Sequence, residues 1–505
     1  MSKEKSKESD FGLEDVFLPI IELINILVYE GIKLLTKGIE LVFEKYVFKN
    51  KTQKIKKIEK KGLKVAKTTQ SFDDIGYSIT EKKMIKGEDL DKTKHSVVVG
   101  SSGSGKSVLL DTLMFDDMRK GKSVIYLDPK ADNESMERFI ELCRLNRMDY
   151  GIFCEHYHGE NKISLNPAKE GSYTHISNRI FKAFTWSEEH YAEKSFQAIK
   201  LAVKILKQDG VTVTLLAILE KIKELTKLPK GDPNKLNPDK IDGIITKLSN
   251  ITDSDFGSIL KGKDAQGFSD LRNSGKCIYI GLPVQGYAET AIAIGKLILG
   301  DVNHSVYNTY KTITSKNKDS LNPLGLYVDE LSSFVTDEFI HILNKSRGAK
   351  LEVTSAFQTT SDVNKVDPEM CQQILENSLN WFIMKQRMQK SAEDICNSIG
   401  TIESTKDTVR VEDGQNMNVG SQRAVEELIV HPNIIKNLNQ GQCVLLRQQP
   451  TQIDLMNVKY IDKYTIDSNL NYFETYGYIN KVIKPSHANK ARPLIIKRSI
   501  VRLDE

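Results

Sequence analysis

Hydrophobic residues follow two alternating patterns along most of the chain. Short apolar runs, typical of strands buried on both faces, are separated by longer stretches in which apolar residues recur every three or four positions, as on one face of a helix. Strands that alternate with helices predict an α/β fold. The strand-like runs are SVVV (96–99), SVIYLD (123–128), KCIYIGLP (276–283), LGLYV (324–328) and LEVTSAFQ (351–358).

One long region, residues 174–272, departs from this alternation. Its helical apolar spacing runs through HISNRIFKAF, EEHYAEKSFQAIKLAVKILKQ, TLLAILEKIKEL and PDKIDGIITKLSNI, and strand-like sequence resumes only after it. We therefore predict an all-α insert domain at 174–272, which interrupts an α/β domain made of residues 71–173 and 273–460. Residues 461–505 carry no pattern that assigns a role and form a C-terminal extension.

The N-terminal part, residues 1–70, has a different pattern. Residues 16–48 are strongly apolar with helical spacing, but charged side chains interrupt them before the roughly 20 apolar residues that a spanning helix needs. This predicts an amphipathic helix, which lies on a membrane surface or packs against a partner or the body of the protein. Residues 45–67 hold ten lysines and one acidic residue, as in a solvated linker or a segment that binds anionic lipid or nucleic acid.

Composition and charge narrow the class of protein. The chain has 505 residues, of which 39% are hydrophobic and 28% charged, as in soluble globular proteins. Its formal net charge of +5 resides in residues 1–70, so the rest is neutral and a broad external DNA-binding face is not expected. Six scattered cysteines without a CxxC pair and the lack of a secretory signal predict a cytoplasmic protein, with peripheral attachment to the inner membrane as the alternative.

The segment CEHYHGE (154–160) places Cys154, His156 and His158 two residues apart. On a strand these side chains would share one face, but zinc needs a fourth ligand and no second ligand pair lies nearby. We interpret the segment as an ordinary strand end.

The first chemical motif is GSSGSGKS (100–107), which satisfies GxxxxGK[ST] between a strand-like run and a helical one. Its glycines let backbone N–H groups face an anion, and the following helix N-terminus adds its dipole. Lys106 is expected to reach the β- and γ-phosphates, and the Ser107 hydroxyl to bind Mg²⁺. The residues predicted to bind nucleotide are Gly100, Ser101, Gly103, Ser104, Gly105, Lys106 and Ser107.

A second motif follows the strand LGLYV, where Asp329 and Glu330 are adjacent. We expect Asp329 to hold Mg²⁺ and Glu330 to act as the general base for an attacking water. An acidic pair of this kind favours hydrolysis over group transfer. The two motifs together predict an ATPase that uses ATP and Mg²⁺.

More than two hundred residues separate Lys106 from Asp329, and the helical insert lies between them. This order resembles the type IV secretion coupling proteins, the TraD/TraG-type branch of the FtsK/HerA ATPases. The similarity spans roughly residues 75–460. The matching pieces are VVVGSSGSGKS, LDPKAD, the insert, LGLYVDEL, RGAKLEVTSAFQTTSDV, ENSLNWFIMKQRMQKSAEDICNSIGT and NLNQGQCVLLRQ.

The resemblance implies a RecA-like P-loop NTPase with a parallel sheet, assembled as a homo-hexameric ring around DNA that it contacts without reading sequence. It implies an insert that recognises substrates such as a relaxase, and inner-membrane secretion components as partners. Gln358 is expected to sense the γ-phosphate. Arg347 is expected to be an arginine finger for the neighbouring subunit. Arg347 is alternatively an ordinary surface residue, and Arg387 is a rival finger.

Three functions are thus open. The leading one is a ring motor that delivers DNA, nucleoprotein or protein to a secretion or conjugation channel. A soluble FtsK/HerA-type translocase in chromosome processing or phage packaging is the second, although the insert and the amphipathic segment argue against it. The third is an adaptor that uses nucleotide only to assemble, for which the base Glu330 would be unnecessary.

Overall fold

The computed structural model describes residues 74–461, apart from 263, 315–320, 366 and 413–414. The amphipathic segment and basic linker predicted within residues 1–70 lie outside the described residues. So does the C-terminal extension, apart from Ile461.

The core is one sheet of eleven strands, with a separate two-stranded hairpin formed by β10 and β11. The strands are β1 (Asp74–Ser78), β2 (Lys83–Lys86), β3 (Ser96–Val99), β4 (Ser123–Asp128), β5 (Tyr150–Phe153), β6 (Cys277–Gly281), β7 (Leu324–Val328), β8 (Leu351–Phe357), β9 (Asn380–Met384), β10 (Thr401–Glu412), β11 (Gln415–Leu428), β12 (Gln442–Gln448) and β13 (Thr451–Val458).

Seven strands of the large sheet are parallel, in the spatial order β9-β3-β8-β7-β4-β6-β5. Four further strands, β12, β13, β1 and β2, extend the sheet beyond β9 in antiparallel pairings. Every residue of β3, β4 and β7 is buried, as their continuous apolar sequences require when helices cover both faces. The structure confirms the predicted α/β class with its parallel sheet.

The helices cover the sheet. Several of them lie between β5 and β6 in the sequence. None of the helices, in the described part of the chain, combines the length and hydropathy that crossing a bilayer requires. They are α1 (Lys106–Arg119), α2 (Asn133–Leu145), α3 (Tyr173–Ala183), α4 (Glu189–Gln208), α5 (Leu215–Thr226), α6 (Pro238–Thr252), α7 (Phe268–Ser274), α8 (Val284–Thr312), α9 (Asp337–Lys345), α10 (Thr360–Val363), α11 (Met370–Glu376), α12 (Gln389–Ile399) and α13 (Pro432–Asn437).

The helices between β5 and β6 begin and end at recognisable sequence signals. The Thr214 side chain accepts from Ala217 N at the start of α5. At the start of α6, the Asn237 side chain accepts from Asp239 N and Pro238 occupies the first turn. Helices α4, α5 and α6 pack on one another through buried apolar side chains. Helices α3 to α7 thus lie between β5 and β6 in the sequence, while a separate insert domain at 174–272 stays a prediction.

A buried ionic cluster ties α1 to the sheet below it. Lys92 Nζ donates to Asp116 Oδ2 (3.1 Å) and to Asp117 Oδ1 (2.9 Å). Asp117 also accepts from Lys122 Nζ (3.1 Å) and from the Tyr327 hydroxyl (2.6 Å). Burial alone would raise the pKa of Asp117, but Lys122 and Lys92 outweigh it and hold that pKa below its usual range.

We expect Asp117→Asn to lower the free energy of unfolding by about 3–5 kcal/mol at pH 7, because the buried Lys92 and the largely buried Lys122 lose a charged partner. The depressed pKa means that the carboxylate's contribution is complete above the unfolded-state value of about 3.9 and is lost as pH falls below it. The difference from wild type in denaturant unfolding should therefore shrink in acid. Asp149→Asn, at an exposed aspartate, is the control and should change stability by less than about 0.5 kcal/mol.

Candidate nucleotide-binding site

The glycine-rich loop 100–105 joins β3 to α1 and is held between two neighbouring strand ends. Gly100 N donates to Phe357 O at the end of β8 (3.2 Å), and Ser101 N donates to Lys385 O just after β9 (2.9 Å). This follows from the register, which aligns the end of β3 with the ends of both strands. The loop therefore lies at the carboxyl edge of the parallel sheet.

Glycine is required at particular points of the loop. A Cβ on Gly100 would lie 2.6 Å from Ser104 Oγ and 2.7 Å from Met384 Cβ, so a side chain does not fit there. Gly103 and Gly105 have φ values of 75° and 105°, in the left-handed region that favours glycine. Gly105 is the residue from which α1 starts, so the loop's conformation sets the position of the helix N-terminus.

Lys106 is the first residue of α1 and its side chain is buried. Its Nζ donates to Gly100 O (2.7 Å) and lies 4.0 Å from Glu330 Oε1. Burial lowers the pKa of Lys106, and the carboxylates of Glu330 and Asp329 partly oppose the shift. Ser107 follows as an exposed residue in the first turn of the same helix.

The acidic pair stands at the end of β7, as the sequence predicts. Asp329 N donates to Leu127 O (3.1 Å), which fixes the pair against the end of β4. Glu330 has φ 42° and ψ 49°, a strained conformation for a residue with a side chain. Its Oε1 accepts from Gln358 Nε2 (3.0 Å), and its N–H donates to Asp329 Oδ1 (2.9 Å). Glu330, Gln358 and Lys106 thus converge although they are distant in sequence.

The electrostatics around Asp329 suit a divalent cation. Burial, opposed by Lys130 and supported by the carboxylates of Glu330 and Asp128, raises the pKa of Asp329 to about 6. The Lys130 ammonium is 3.9 Å from Asp329 Oδ2 and half exposed. Crowded, buried carboxylate oxygens are the donors that Mg²⁺ prefers, and the charge of an ion would relieve their repulsion.

Several residues at the site carry no role in the sequence analysis. Gly441 N donates to Ser104 O (2.9 Å), and a Cβ on Gly105 would lie 3.1 Å from Gly441 N. Gln386 Nε2 donates to Gln358 O (3.1 Å). Both residues lie in motifs that the family resemblance covers, NLNQGQC and KQRMQ. Asp128 lies in LDPKAD, but no local signal showed that these segments meet the loop.

Arg347 lies apart from the other candidate catalytic residues. It is exposed in a short 3-10 turn, Ser346–Ala349, just before β8, whereas Gln358 and the glycine-rich loop lie at the opposite end of that strand. Seven residues of extended chain span about 23 Å, which is further than an arginine side chain reaches. Arg387, the rival candidate, lies at the loop, where its guanidinium donates to Ser102 O (3.3 Å).

A glycine-rich loop between a buried strand and a helix, facing an acidic pair on a parallel sheet, defines a P-loop nucleoside triphosphatase. The profile described as an AAA-like domain matches residues 76–269, and the profile described as the TraM recognition site of TraD and TraG matches residues 323–440. Together with the fold, these two matches support a type IV coupling protein of the TraD/TraG type. The protein is accordingly a nucleotide-binding ATPase.

Solved structures share the fold at low sequence identity. The bacterial conjugative coupling protein TrwBdeltaN70, in its unbound form, is 15% identical with a TM-score of 0.58, over 80% of this chain and 92% of that one. The plasmid coupling protein TrwB in complex with ADP and Mg²⁺ is 16% identical with a TM-score of 0.55, over the same shares. VirB4 of Thermoanaerobacter pseudethanolicus is 14% identical with a TM-score of 0.52, over 78% and 97%. No curated protein sequence matches the chain.

Proposed function

We propose that this ATPase is a ring motor of conjugation, which hydrolyses ATP to drive DNA, nucleoprotein or protein into a type IV secretion channel. The observation that carries the proposal is that the candidate catalytic residues lie in two places. Lys106, Glu330 and Gln358 converge at the carboxyl ends of the strands, whereas Arg347 lies at the amino end of β8. With Arg347 as the arginine finger, such a chain completes its site only beside another copy. The similarity to a structure named as a bacterial conjugative coupling protein, TrwBdeltaN70, supports a role in conjugation.

In the proposed mechanism the loop residues Gly100, Ser101, Gly103, Ser104 and Gly105 bind the phosphates through backbone N–H groups. Lys106 exchanges its contact with Gly100 O for the β- and γ-phosphate oxygens. Ser107 and Asp329 would hold Mg²⁺, which offsets phosphate charge when it is bound.

Glu330 then accepts a proton from the water that attacks the γ-phosphorus, and Gln358 senses the γ-phosphate through its hydrogen bond to Glu330. Through this hydrogen bond, release of the phosphate would be transmitted from Glu330 to Gln358 and would move β8 and the segments after it. Arg347 from a neighbouring copy stabilises the charge of the transition state.

The proposed assembly is a homo-hexamer that encloses DNA and contacts its phosphates without reading sequence. The insert at 174–272 would recognise a relaxase or another secretion substrate, while the parts at 71–173 and 273–460 form the motor. Residues 1–70 would attach the protein to the membrane surface or to inner-membrane secretion components, so that the motor works in the cytoplasm or at the membrane surface.

The test is the ATP hydrolysis rate of the purified chain with and without DNA, over a range of protein concentration. We expect DNA to stimulate the rate severalfold, and the rate per chain to rise with concentration as rings assemble. Lys106→Ala should abolish both rates, which controls for contaminating ATPases. A rate that depends on concentration but not on DNA would contradict the DNA motor and favour a receptor for protein substrates.

A further inference from the structure

A second cluster of chemically active side chains lies at the end of β5, away from the nucleotide site. Cys154 Sγ is 3.3 Å from Glu155 Oε2 and 3.3 Å from His156 Nδ1, and Glu155 Oε1 is 3.0 Å from His156 Nδ1. Within the described residues these three form a group whose donor atoms are all close enough to share one metal ion.

The cluster differs from the arrangement considered from sequence. Strand β5 ends at Phe153, so Cys154 and His156 lie on a turn and do not alternate on a strand face. The turn brings the Glu155 carboxylate to the thiol and the imidazole. His158 does not belong to the group.

The spacing of the donors matches a small tetrahedral site. With metal bonds of about 2.3 Å to sulfur and about 2.0–2.2 Å to nitrogen and oxygen, tetrahedral ligand atoms lie about 3.3–3.6 Å apart. Cys154 Sγ and His156 Nδ1 are 3.3 Å apart, and each is close to a different oxygen of the Glu155 carboxylate, Oε2 at 3.3 Å from the sulfur and Oε1 at 3.0 Å from the nitrogen. One donor atom from each residue lies within 4.8 Å of the other two. An ion bound by one oxygen of Glu155 would therefore require that carboxylate to turn and the converging side chains to adjust.

The backbone around the turn is anchored. Tyr157 N donates to Cys154 O (3.4 Å), and Lys162 Nζ donates to Glu155 O (3.2 Å). A Cβ on Gly281, in the adjacent strand β6, would approach Cys154 Sγ to 3.0 Å, so glycine leaves room beside the sulfur. The ligands are thus held on the edge of the sheet, with His156 exposed to solvent and Cys154 buried.

We propose that Cys154, Glu155 and His156 bind one divalent transition-metal ion of the Zn²⁺ type, with water as the fourth ligand. A thiolate, an imidazole and a carboxylate form a donor set that favours such ions over Mg²⁺ or Ca²⁺, which take oxygen ligands. The site is separate from the nucleotide cation site. In the strand order β7-β4-β6-β5, three strand spacings of about 4.8 Å separate its edge of the sheet from the end of β7.

The test uses Co²⁺ as a spectroscopic probe on the full-length protein after chelator treatment. We expect one equivalent of Co²⁺ per chain with a thiolate-to-cobalt charge-transfer absorption, which Zn²⁺ displaces. Cys154→Ser should abolish that absorption, and His156→Asn should weaken Co²⁺ binding by at least about 100-fold. His158→Asn, the same substitution two residues further on, should leave the titration unchanged.

Cobalt bound by oxygen ligands at the nucleotide site gives no thiolate absorption, so it does not imitate the expected result. Absence of the charge-transfer band in the wild-type protein would overturn the proposal, and so would a band that persists in Cys154→Ser. Melting temperatures are measured for each variant. If Cys154→Ser does not fold, His156→Asn decides alone, because its exposed side chain is not needed for the core: unchanged affinity in that variant refutes the site.

Discussion

Glu330→Gln is expected to lower the rate of ATP hydrolysis by about 10²- to 10⁴-fold, the range that a general base contributes, while nucleotide binding is retained. The substitution removes the group that accepts a proton and preserves the shape of the side chain. The amide oxygen that it introduces can still accept the hydrogen bond from Gln358, which the Glu330 carboxylate receives at 3.0 Å. The geometry of the site therefore survives, and the loss falls on the chemical step.

The prediction that nucleotide binding is retained rests on the contacts of the glycine-rich loop. Its contacts run from Gly100 and Ser101 to the ends of β8 and β9, and none of these hydrogen bonds involves Glu330. We expect the dissociation constant for a fluorescent ATP analogue to change little. Hydrolysis and binding are measured on the same preparations, with Glu134→Gln, at an exposed glutamate in the first turn of α2, as the matched control.

Two results would count against this assignment. Hydrolysis within a fewfold of wild type would show that Glu330 is not the base. Loss of nucleotide binding together with hydrolysis would show that the carboxylate supports the loop, for which its 4.0 Å approach to Lys106 is the available contact.

The parts of the fold that local sequence could predict are those with strong periodicity. β3, β4 and β7 are continuous apolar runs between helical segments, so the sequence alone predicts their burial. The sequence alone does not predict that β12, β13, β1 and β2 extend the sheet in antiparallel pairings. β1 and β2, with the sequences DIGYS and KMIK, are short and mixed in polarity, and their pairing depends on β13, which is remote in sequence. Non-local pairing of this kind leaves no local signal.

The candidate site likewise has parts that local sequence predicts and parts that depend on contacts between distant segments. The loop is contiguous in sequence and its chemistry requires particular residue types, so the motif alone predicted it. The contacts of Gly441 with Ser104 and of Gln386 with Gln358 join segments that are far apart in the chain, and only the register of β3, β8 and β9 brings them together. The position of Arg347 relative to the glycine-rich loop likewise could not be predicted without the strand order.

That position makes the finger role sharply testable. Arg347 precedes Gln358 by eleven residues, and β8 separates the two. Arg347 also lies near His95 at the amino edge of β3. Burial and the positive charge of Arg347, opposed by the hydrogen bond to Leu343 O, lower the pKa of His95 to about 4. The guanidinium is therefore on the side of the sheet away from its own chain's glycine-rich loop. It serves a neighbouring copy or takes no part in catalysis.

We expect Arg347→Ala to lower ATP hydrolysis by about 10³- to 10⁵-fold in the assembled protein, the range that an arginine finger supplies. The decisive measurement mixes two inactive chains. An Arg347→Ala chain keeps its own Lys106, Glu330 and Gln358, and a Glu330→Gln chain keeps its Arg347. In a head-to-tail ring that is co-expressed from equal amounts, about one quarter of the interfaces pair an intact site with an intact finger, so activity should return to about that fraction.

Arg387 supplies the control, because its guanidinium contacts Ser102 of its own loop. If Arg387→Ala is inactive through a role in its own site, mixing it with Glu330→Gln restores nothing, since every site then lacks one of the two residues. Recovery with Arg347→Ala alone would thus establish a site shared between subunits. No recovery with Arg347→Ala, from rings shown by mass spectrometry to contain both chains, would remove Arg347 from the mechanism, and full activity of Arg347→Ala by itself would make it a surface residue.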